Sequence, residues 1–91
     1  MTARYRRQPD LRLAAVEGEG VVLHLGSRRY FSVSESAWAV LEALAAPRSV
    51  AELVPALLSR YEVTPEIAER SVRAFLERCV AADLLAVARD P

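Results

Sequence analysis

Hydrophobic and polar residues alternate along the first third of the chain, which is the period expected of strands with one buried face. Leu11, Leu13 and Ala15 follow this alternation and predict a first strand, which ends at a turn over residues 17–20. Residues 21–25 are partly apolar on both faces, so we expect them to form the central strand. A Gly-containing connection at Gly26 leads to a third strand over residues 30–33. The pattern predicts a three-stranded antiparallel meander.

Two helices are predicted after these strands. Ser34 is suited to cap the first, whose apolar residues recur at helical spacing as far as Pro47. Ser49 and Glu52 have the spacing of a capping box and indicate a second helix. Pro55 conflicts with that start, because a proline in a helix interior loses a backbone hydrogen bond and clashes with the preceding turn. The second helix is therefore expected either to be kinked or to begin later than its cap.

A long third helix begins at Thr64 and Pro65, which supply a capping hydroxyl and a proline at the first helical position. Residues 84–87 are expected to pack back onto the sheet. The apolar face of the third helix consists of Ala68, Val72, Phe75, Leu76 and Cys79.

These elements predict an α+β fold that resembles a winged helix, with a three-stranded antiparallel sheet followed by three helices. We expect a basic N-terminal tail over residues 1–10 and one domain over residues 11–88. A chain of 91 residues with 53% hydrophobic and 26% charged residues is typical of one small globular domain. Such a domain has little apolar area for both a core and a deep substrate pocket, so we predict that it is not an enzyme.

The charge pattern argues against nucleic acid as the partner. Twelve arginines balance twelve acidic residues, so no global field attracts DNA. A winged-helix regulator is the competing interpretation, but its recognition helix would present basic residues, and here arginines alternate with glutamates along the third helix. The basic cluster of the N-terminal third is consistent with binding of an acidic peptide, with binding of DNA, or with an ordinary solvated surface. It contains Arg4, Arg6, Arg7, Arg12, Arg28 and Arg29.

Few residues of this chain could carry catalysis or hold a metal. His24 is predicted in a strand and Cys79 on an apolar helix face, so neither a Cys-His pair nor a zinc site is expected. We predict no cofactor and no metal. A single cysteine and the absence of a signal peptide or a membrane-length apolar run fit a soluble, cytoplasmic protein with no membrane contact.

The order of motifs from Val21 to Leu85 resembles the PqqD family, whose members include the RiPP recognition elements that bind leader peptides. The resemblance rests on Leu-Gly-x-x-x-Tyr-Phe-x-Val-x-x-x-Ala-x-x-Val-Leu from Leu25, on Ser-Val-Ala-Glu-Leu from Ser49, and on Val72-x-x-Phe-Leu. It covers about two thirds of the chain. Asp83 departs from the family pattern, which often has a glycine before the closing Leu-Leu.

The resemblance implies that the leader segment of a ribosomally made precursor adds as an antiparallel strand to the edge of the third strand. Its side chains would enter a cleft beside the third helix. We expect Phe75 to belong to the core, and Val72 and Leu76 to be better candidates for the cleft. Arg28, Arg29 and Arg73 are expected to pair with acidic leader residues. The complete predicted peptide-binding set is Arg28, Arg29, Tyr30, Phe31, Ser32, Val33, Val72, Arg73, Phe75, Leu76 and Cys79.

The resemblance also implies a processing enzyme as the second partner. The lasso peptide type is favoured, in which that enzyme is a transglutaminase-like cysteine leader peptidase. The alternative is a PqqD-type peptide chaperone for a radical SAM enzyme. In either case this chain would deliver the precursor and do no chemistry itself. An uncovered sheet edge also permits strand exchange between two copies, which would give a homodimer.

Overall fold

A computed structural model describes residues 3–89 of the chain. Its elements, in order, are β1 (Ala3–Arg7), β2 (Leu11–Val16), β3 (Glu19–His24), β4 (Arg29–Val33), α1 (Glu35–Ala43), α2 (Val50–Leu58), α3 (Pro65–Ala81) and β5 (Leu85–Arg89). The predicted α+β architecture, a three-stranded antiparallel sheet followed by three helices, is confirmed. No helix within residues 3–89 is long and apolar enough to cross a membrane.

The meander β2–β3–β4 has a register fixed by its first turn. Glu17 and Gly18 both have positive φ, at 52° and 82°, as the two central residues of a type I′ turn require. Val16 therefore lies opposite Glu19, and Leu13, Val22 and Phe31 lie side by side on the face that contacts the helices. Val22 is completely buried on that face. The opposite face carries the exposed Tyr30.

The ends of the described chain form a second sheet that the sequence pattern did not predict. Residues 3–7, assigned to a basic tail, form β1 and pair antiparallel with β5. Arginines obscure the alternation of this strand, although Tyr5 packs against the core and exchanges backbone hydrogen bonds with Arg48. Leu85 is buried at the start of β5, but it belongs to this separate sheet and not to the meander.

Helix α2 begins directly after its cap. The Ser49 hydroxyl accepts from the Glu52 amide, and the Glu52 carboxylate accepts from the Ser49 amide, which completes the capping box. Of the two predicted alternatives, the late start is therefore wrong, and Pro55 lies inside the helix. Arg4 Nη1 lies 3.1 Å from Glu52 Oε1, so a salt bridge connects β1 to the first turn of α2.

Asp83 ends α3 in the conformation that usually favours glycine. Its φ is 63°, and the Leu84 amide donates to the Cys79 carbonyl while the Asp83 amide donates to that of Val80. These two bonds form a Schellman motif, in which the residue after the cap adopts the left-handed conformation. Asp83 thus ends the helix in the same conformation that the glycine of the family pattern would adopt.

The core lies between the helix-facing side of the meander and the three helices. Helix α3 packs against α2 and β5, and α1 packs against α2. The largest completely buried side chains are Val22, Leu41, Leu44, Leu53, Val72, Leu76 and Leu85. This packing sets the position of α3 relative to β4.

Gly20 is required where the indole of Trp38 packs on β3. A Cβ at residue 20 would lie 2.7 Å from Trp38 Cε3 and 3.1 Å from Val33 Cγ2. We predict that Gly20→Ala lowers the free energy of unfolding by ~1–3 kcal/mol, because the indole must be displaced. Urea unfolding followed by Trp38 fluorescence measures this change.

Gly26→Ala is the matched control. The atom that a Cβ would meet there, at 2.7 Å, is the end of the flexible Asp10 side chain, which can move away. Equal destabilisation by the two substitutions would contradict the proposed role of the Trp38 contact.

Candidate functional site

Strand β4 is an edge strand. The order of the meander is β2–β3–β4, and no strand within residues 3–89 pairs with the far side of β4. The backbone groups that point away from β3 are therefore available to another chain.

The turn at Glu17 and Gly18 determines which backbone groups these are. In a two-residue hairpin the closing pair, here Val16 and Glu19, exchanges hydrogen bonds, and such pairs then alternate along the ladder. Odd-numbered residues of β3 consequently bond to β2, as does Leu25 just beyond it, whose amide donates to the Asp10 carbonyl at 3.0 Å.

The even-numbered residues of β3 then bond to β4. They lie opposite Arg29, Phe31 and Val33, so these three residues use their backbone groups within the meander. The amides and carbonyls of Tyr30 and Ser32 point to the free edge. The edge thus offers two donors and two acceptors in the alternating arrangement that a further strand needs.

A cleft of ≈270 Å³ lies beside this edge, and we call it the β4–α3 cleft. Its walls combine apolar residues, serines and one arginine from β4, all three helices and the β4–α1 connection. The lining residues are Ser32, Val33, Ser34, Ser36, Ala37, Val40, Leu57, Ser71, Val72, Phe75 and Arg78. A cleft of this composition is suited to apolar side chains of an extended peptide.

The rotation of α3 differs from the sequence-based expectation. Leu76 and Cys79 were expected to line the cleft, but they face the core with exposed fractions of 0% and 4%. Phe75 was expected in the core and was also included in the predicted peptide-binding set; it is half-buried, packs against the core and lines the cleft. The reason is that Ser71, Phe75 and Arg78 form one stripe of α3, and the neighbouring stripe is buried against α2 and β5. Val72 belongs to both surfaces.

The predicted residues of β4 lie on its two faces. Phe31 and Val33 are half-buried on the helix side, and Ser32 and Val33 line the cleft. Tyr30 is 73% exposed on the opposite face. Ser32 alternates with Phe31 and Val33, so its side chain lies on the same face as that of Tyr30 and its backbone borders the cleft. The site therefore brings Val33, Val72 and Phe75 together beside the backbone of Ser32, and Tyr30 contributes further backbone groups at the edge.

The predicted arginines lie outside the cleft lining. Arg28 is in the β3–β4 turn with a φ of 60°, and the Arg29 guanidinium lies 5.4 Å from the Phe31 ring centroid. Arg73 Nη2 is 2.8 Å from Glu69 Oε1 on the exposed side of α3. The arginine that does line the cleft is Arg78, which is not in the predicted peptide-binding set. Arg78 follows Phe75 by three residues, and this spacing places both residues on the same side of the helix, which could have identified it.

A second cavity of ≈580 Å³ continues the cleft past the end of β4. The two cavities share Ser32, Val33 and Ser34. Its lining includes Trp38, whose indole packs against Gly20. An extended chain along β4 would therefore pass both cavities.

Cys79 and His24, which were considered as candidates for catalysis, do not line the cleft. Burial raises the pKa of the Cys79 thiol to about 11, so this thiol is protonated at neutral pH. His24 Nδ1 accepts from the Ser27 amide at 3.1 Å, and its Nε2 is 3.7 Å from Asp83 Oδ2. No group of three potential metal ligands occurs among residues 3–89.

These features define a small winged-helix-like α+β protein with a strand edge open to addition of a further strand. The family model described as "Coenzyme PQQ synthesis protein D (PqqD)" matches residues 19–85. The chain therefore belongs to the PqqD family, as its motifs predicted.

Two solved structures have the same fold. "Lasso peptide synthetase B1 complexed with the leader peptide" is 24% identical with a TM-score of 0.79, and the match covers 90% of this chain and 96% of that one. "TbiB1 in Complex with the TbiA(beta) Leader Peptide" is 27% identical with a TM-score of 0.74, over 93% of this chain and 99% of that one. Both neighbours are described with a leader peptide bound. No curated protein matches the chain by sequence.

The raised pKa of Cys79 predicts two measurable properties. Alkylation by iodoacetamide at pH 8 should be slow in the folded protein and fast in urea, because the buried thiol is protonated and shielded.

The Cys79 thiol should also make stability depend on pH. Below the ordinary thiol pKa of 9.0, the thiol is protonated in both the folded and the unfolded chain, so it does not change the free energy of unfolding. Between that value and about 11 the unfolded chain loses the thiol proton first, so the free energy of unfolding should fall by ~2–3 kcal/mol as the pH rises.

Cys79→Ala provides the control, because it removes the titrating thiol. Its stability should fall less steeply between these pH values. Fast alkylation of the native protein would show instead that the thiol is accessible and reactive.

Proposed function

We propose that this protein binds the leader segment of a ribosomally synthesised peptide precursor and delivers it to a processing enzyme. The observation that carries the proposal is the free edge of β4 beside an apolar cleft, in a fold shared with two structures described with bound leader peptides. The leader adds to β4 as an antiparallel strand. The meander then becomes a four-stranded sheet.

Affinity in this mode comes from the backbone. The amides and carbonyls of Tyr30 and Ser32 supply the hydrogen bonds, and these are independent of leader sequence. Specificity comes from side chains, because alternate residues of the added strand project to the helix side. There they contact Val33, Val72 and Phe75. Leu76 and Cys79 support the cleft from behind, through the core.

Delivery requires no chemistry from this chain. Holding a flexible precursor near an enzyme converts the second encounter into an intramolecular one and raises the effective concentration of the substrate. The protonated, buried state of Cys79 and the structural contacts of His24 support a non-catalytic role. The single cysteine fits a reducing, cytoplasmic location.

The favoured processing enzyme is a transglutaminase-like cysteine leader peptidase of a lasso peptide pathway. The name of one structural neighbour, lasso peptide synthetase B1, supports this choice. A radical SAM enzyme is the alternative, supported by the PqqD family model. The two choices are separated by adding each purified enzyme to the protein and a labelled precursor and measuring leader removal or precursor modification.

Fluorescence polarisation tests the binding step directly. A labelled leader peptide from a neighbouring precursor gene is titrated with the protein, and random duplex DNA is the parallel probe. Saturable leader binding without DNA binding is expected. DNA binding alone, falling steeply with salt, would instead support the winged-helix regulator.

Ser32→Pro tests strand addition. Proline removes the Ser32 amide, a donor at the free edge, without breaking a hydrogen bond between β3 and β4. Leader affinity should fall about tenfold or more, as loss of a main-chain hydrogen bond and a steric clash of the ring predict. Circular dichroism and thermal unfolding should show that the variant is folded.

Ser32→Ala is the matched control, because it removes the hydroxyl and retains the amide. It should bind the leader within about twofold of the original protein, since this exposed hydroxyl makes no hydrogen bond among residues 3–89. Unchanged binding by a folded Ser32→Pro protein would exclude this edge as the receiving strand. Light scattering of both variants reports whether a second copy occupies the edge instead.

A further inference from the structure

Arg78 differs from the other two arginines of α3 in its helical neighbours. Arg73 pairs with Glu69 four residues earlier, and Arg70 has Glu66 at the same spacing. Arg78 has alanines both four residues before and four residues after it. Its guanidinium makes no ion pair or hydrogen bond within residues 3–89. Arg73 is therefore paired and Arg70 has an acidic residue at pairing distance, whereas Arg78 has no acidic residue three or four positions away on α3.

The unpaired charge lies at the β4–α3 cleft. Arg78 is the one ionisable side chain among the described residues that line this cleft, and the others are serines or apolar residues. Phe75 precedes it by three residues on the same stripe of α3. A side chain that enters the cleft thus meets apolar surface beside a positive charge with no competing carboxylate.

We propose that the β4–α3 cleft selects a peptide with an acidic side chain, and that Arg78 binds the carboxylate of this side chain. The proposal rests on the proposed function and gives the bound segment a chemical class. Because alternate residues of an added strand face the cleft, the acidic residue stands an even number of positions from the apolar residue that contacts Phe75. This assignment replaces Arg73, which is already paired on the exposed side of the helix.

Arg78 also lies in the last turn of α3, where a positive charge stabilises the helix dipole. That effect acts on folding and is the same for every peptide. A test of the proposal must therefore measure peptide selectivity, which the dipole interaction does not change.

Selection from a displayed library of random short peptides provides that test. The baits are the original protein, Arg78→Glu and the control Arg70→Glu, which reverses an exposed charge of the same helix outside the cleft lining. The original protein should enrich Asp or Glu at one position, at even spacing from an apolar residue. Arg78→Glu should enrich Lys or Arg at that position, and Arg70→Glu should retain the acidic preference.

Affinities of one selected peptide complete the test. Arg78→Met should bind it about three to ten times more weakly, as loss of a partly exposed charged hydrogen bond predicts. Replacing the acidic residue of the peptide by its amide should weaken binding to the original protein similarly and leave Arg78→Met unaffected. Thermal unfolding of each variant verifies that it is folded.

The outcomes separate this inference from the function on which it rests. Peptides that bind through the β4 edge, as judged by loss of binding in Ser32→Pro, but carry no Arg78-dependent acid would overturn the selectivity and retain the peptide-binding function. Recovery of no peptide that depends on the β4 edge would overturn both.

Discussion

The rotation of α3 about its own axis is the constraint on which the site depends. Val72, Leu76 and Cys79 fill the buried face of this helix, and a close-packed interior permits little freedom in how such a face is seated. With that face fixed against α2 and β5, the adjacent stripe of Ser71, Phe75 and Arg78 must face β4. The cleft is thus a consequence of core packing.

The second constraint is the alternation of hydrogen bonding along the meander, in which odd-numbered residues of β3 bond to β2 and even-numbered residues bond to β4. A two-residue turn at Glu17 and Gly18 sets which residues of β3 bond to β2, and every later pair follows from it. The turn therefore also determines that the backbone groups of Tyr30 and Ser32 are the ones exposed at the free edge of β4. A turn of a different length would shift the pairing and exchange the faces of the strand. The edge and the cleft therefore depend on two independent features, a turn and a helix face.

The elements of the fold that were predictable carry local signals. Alternation in residues 11–25 and the serine cap of α2 specify structure within a few residues, and both are confirmed. Strand β1 was missed because its arginines conceal the alternation and its partner, β5, lies at the other end of the sequence. Arg78 was missed, and the division of Phe75 between core and cleft was not predicted, because the apolar face of α3 is broad. Which part of such a face is buried depends on contacts with α2 and β5, and sequence spacing alone does not determine these.

The pairing of β1 with β5 has a consequence for how the protein can be joined to others. Ala3 lies opposite Arg89, so the chain enters and leaves the described fold at one place. These two strands form a sheet distinct from the meander that contains the β4 edge. A host protein could therefore carry this unit within a surface loop, attached through two adjacent strands, because closely spaced ends favour domain insertion. Modularity of this kind would follow from the geometry of the smaller sheet, without any change in the β4–α3 cleft.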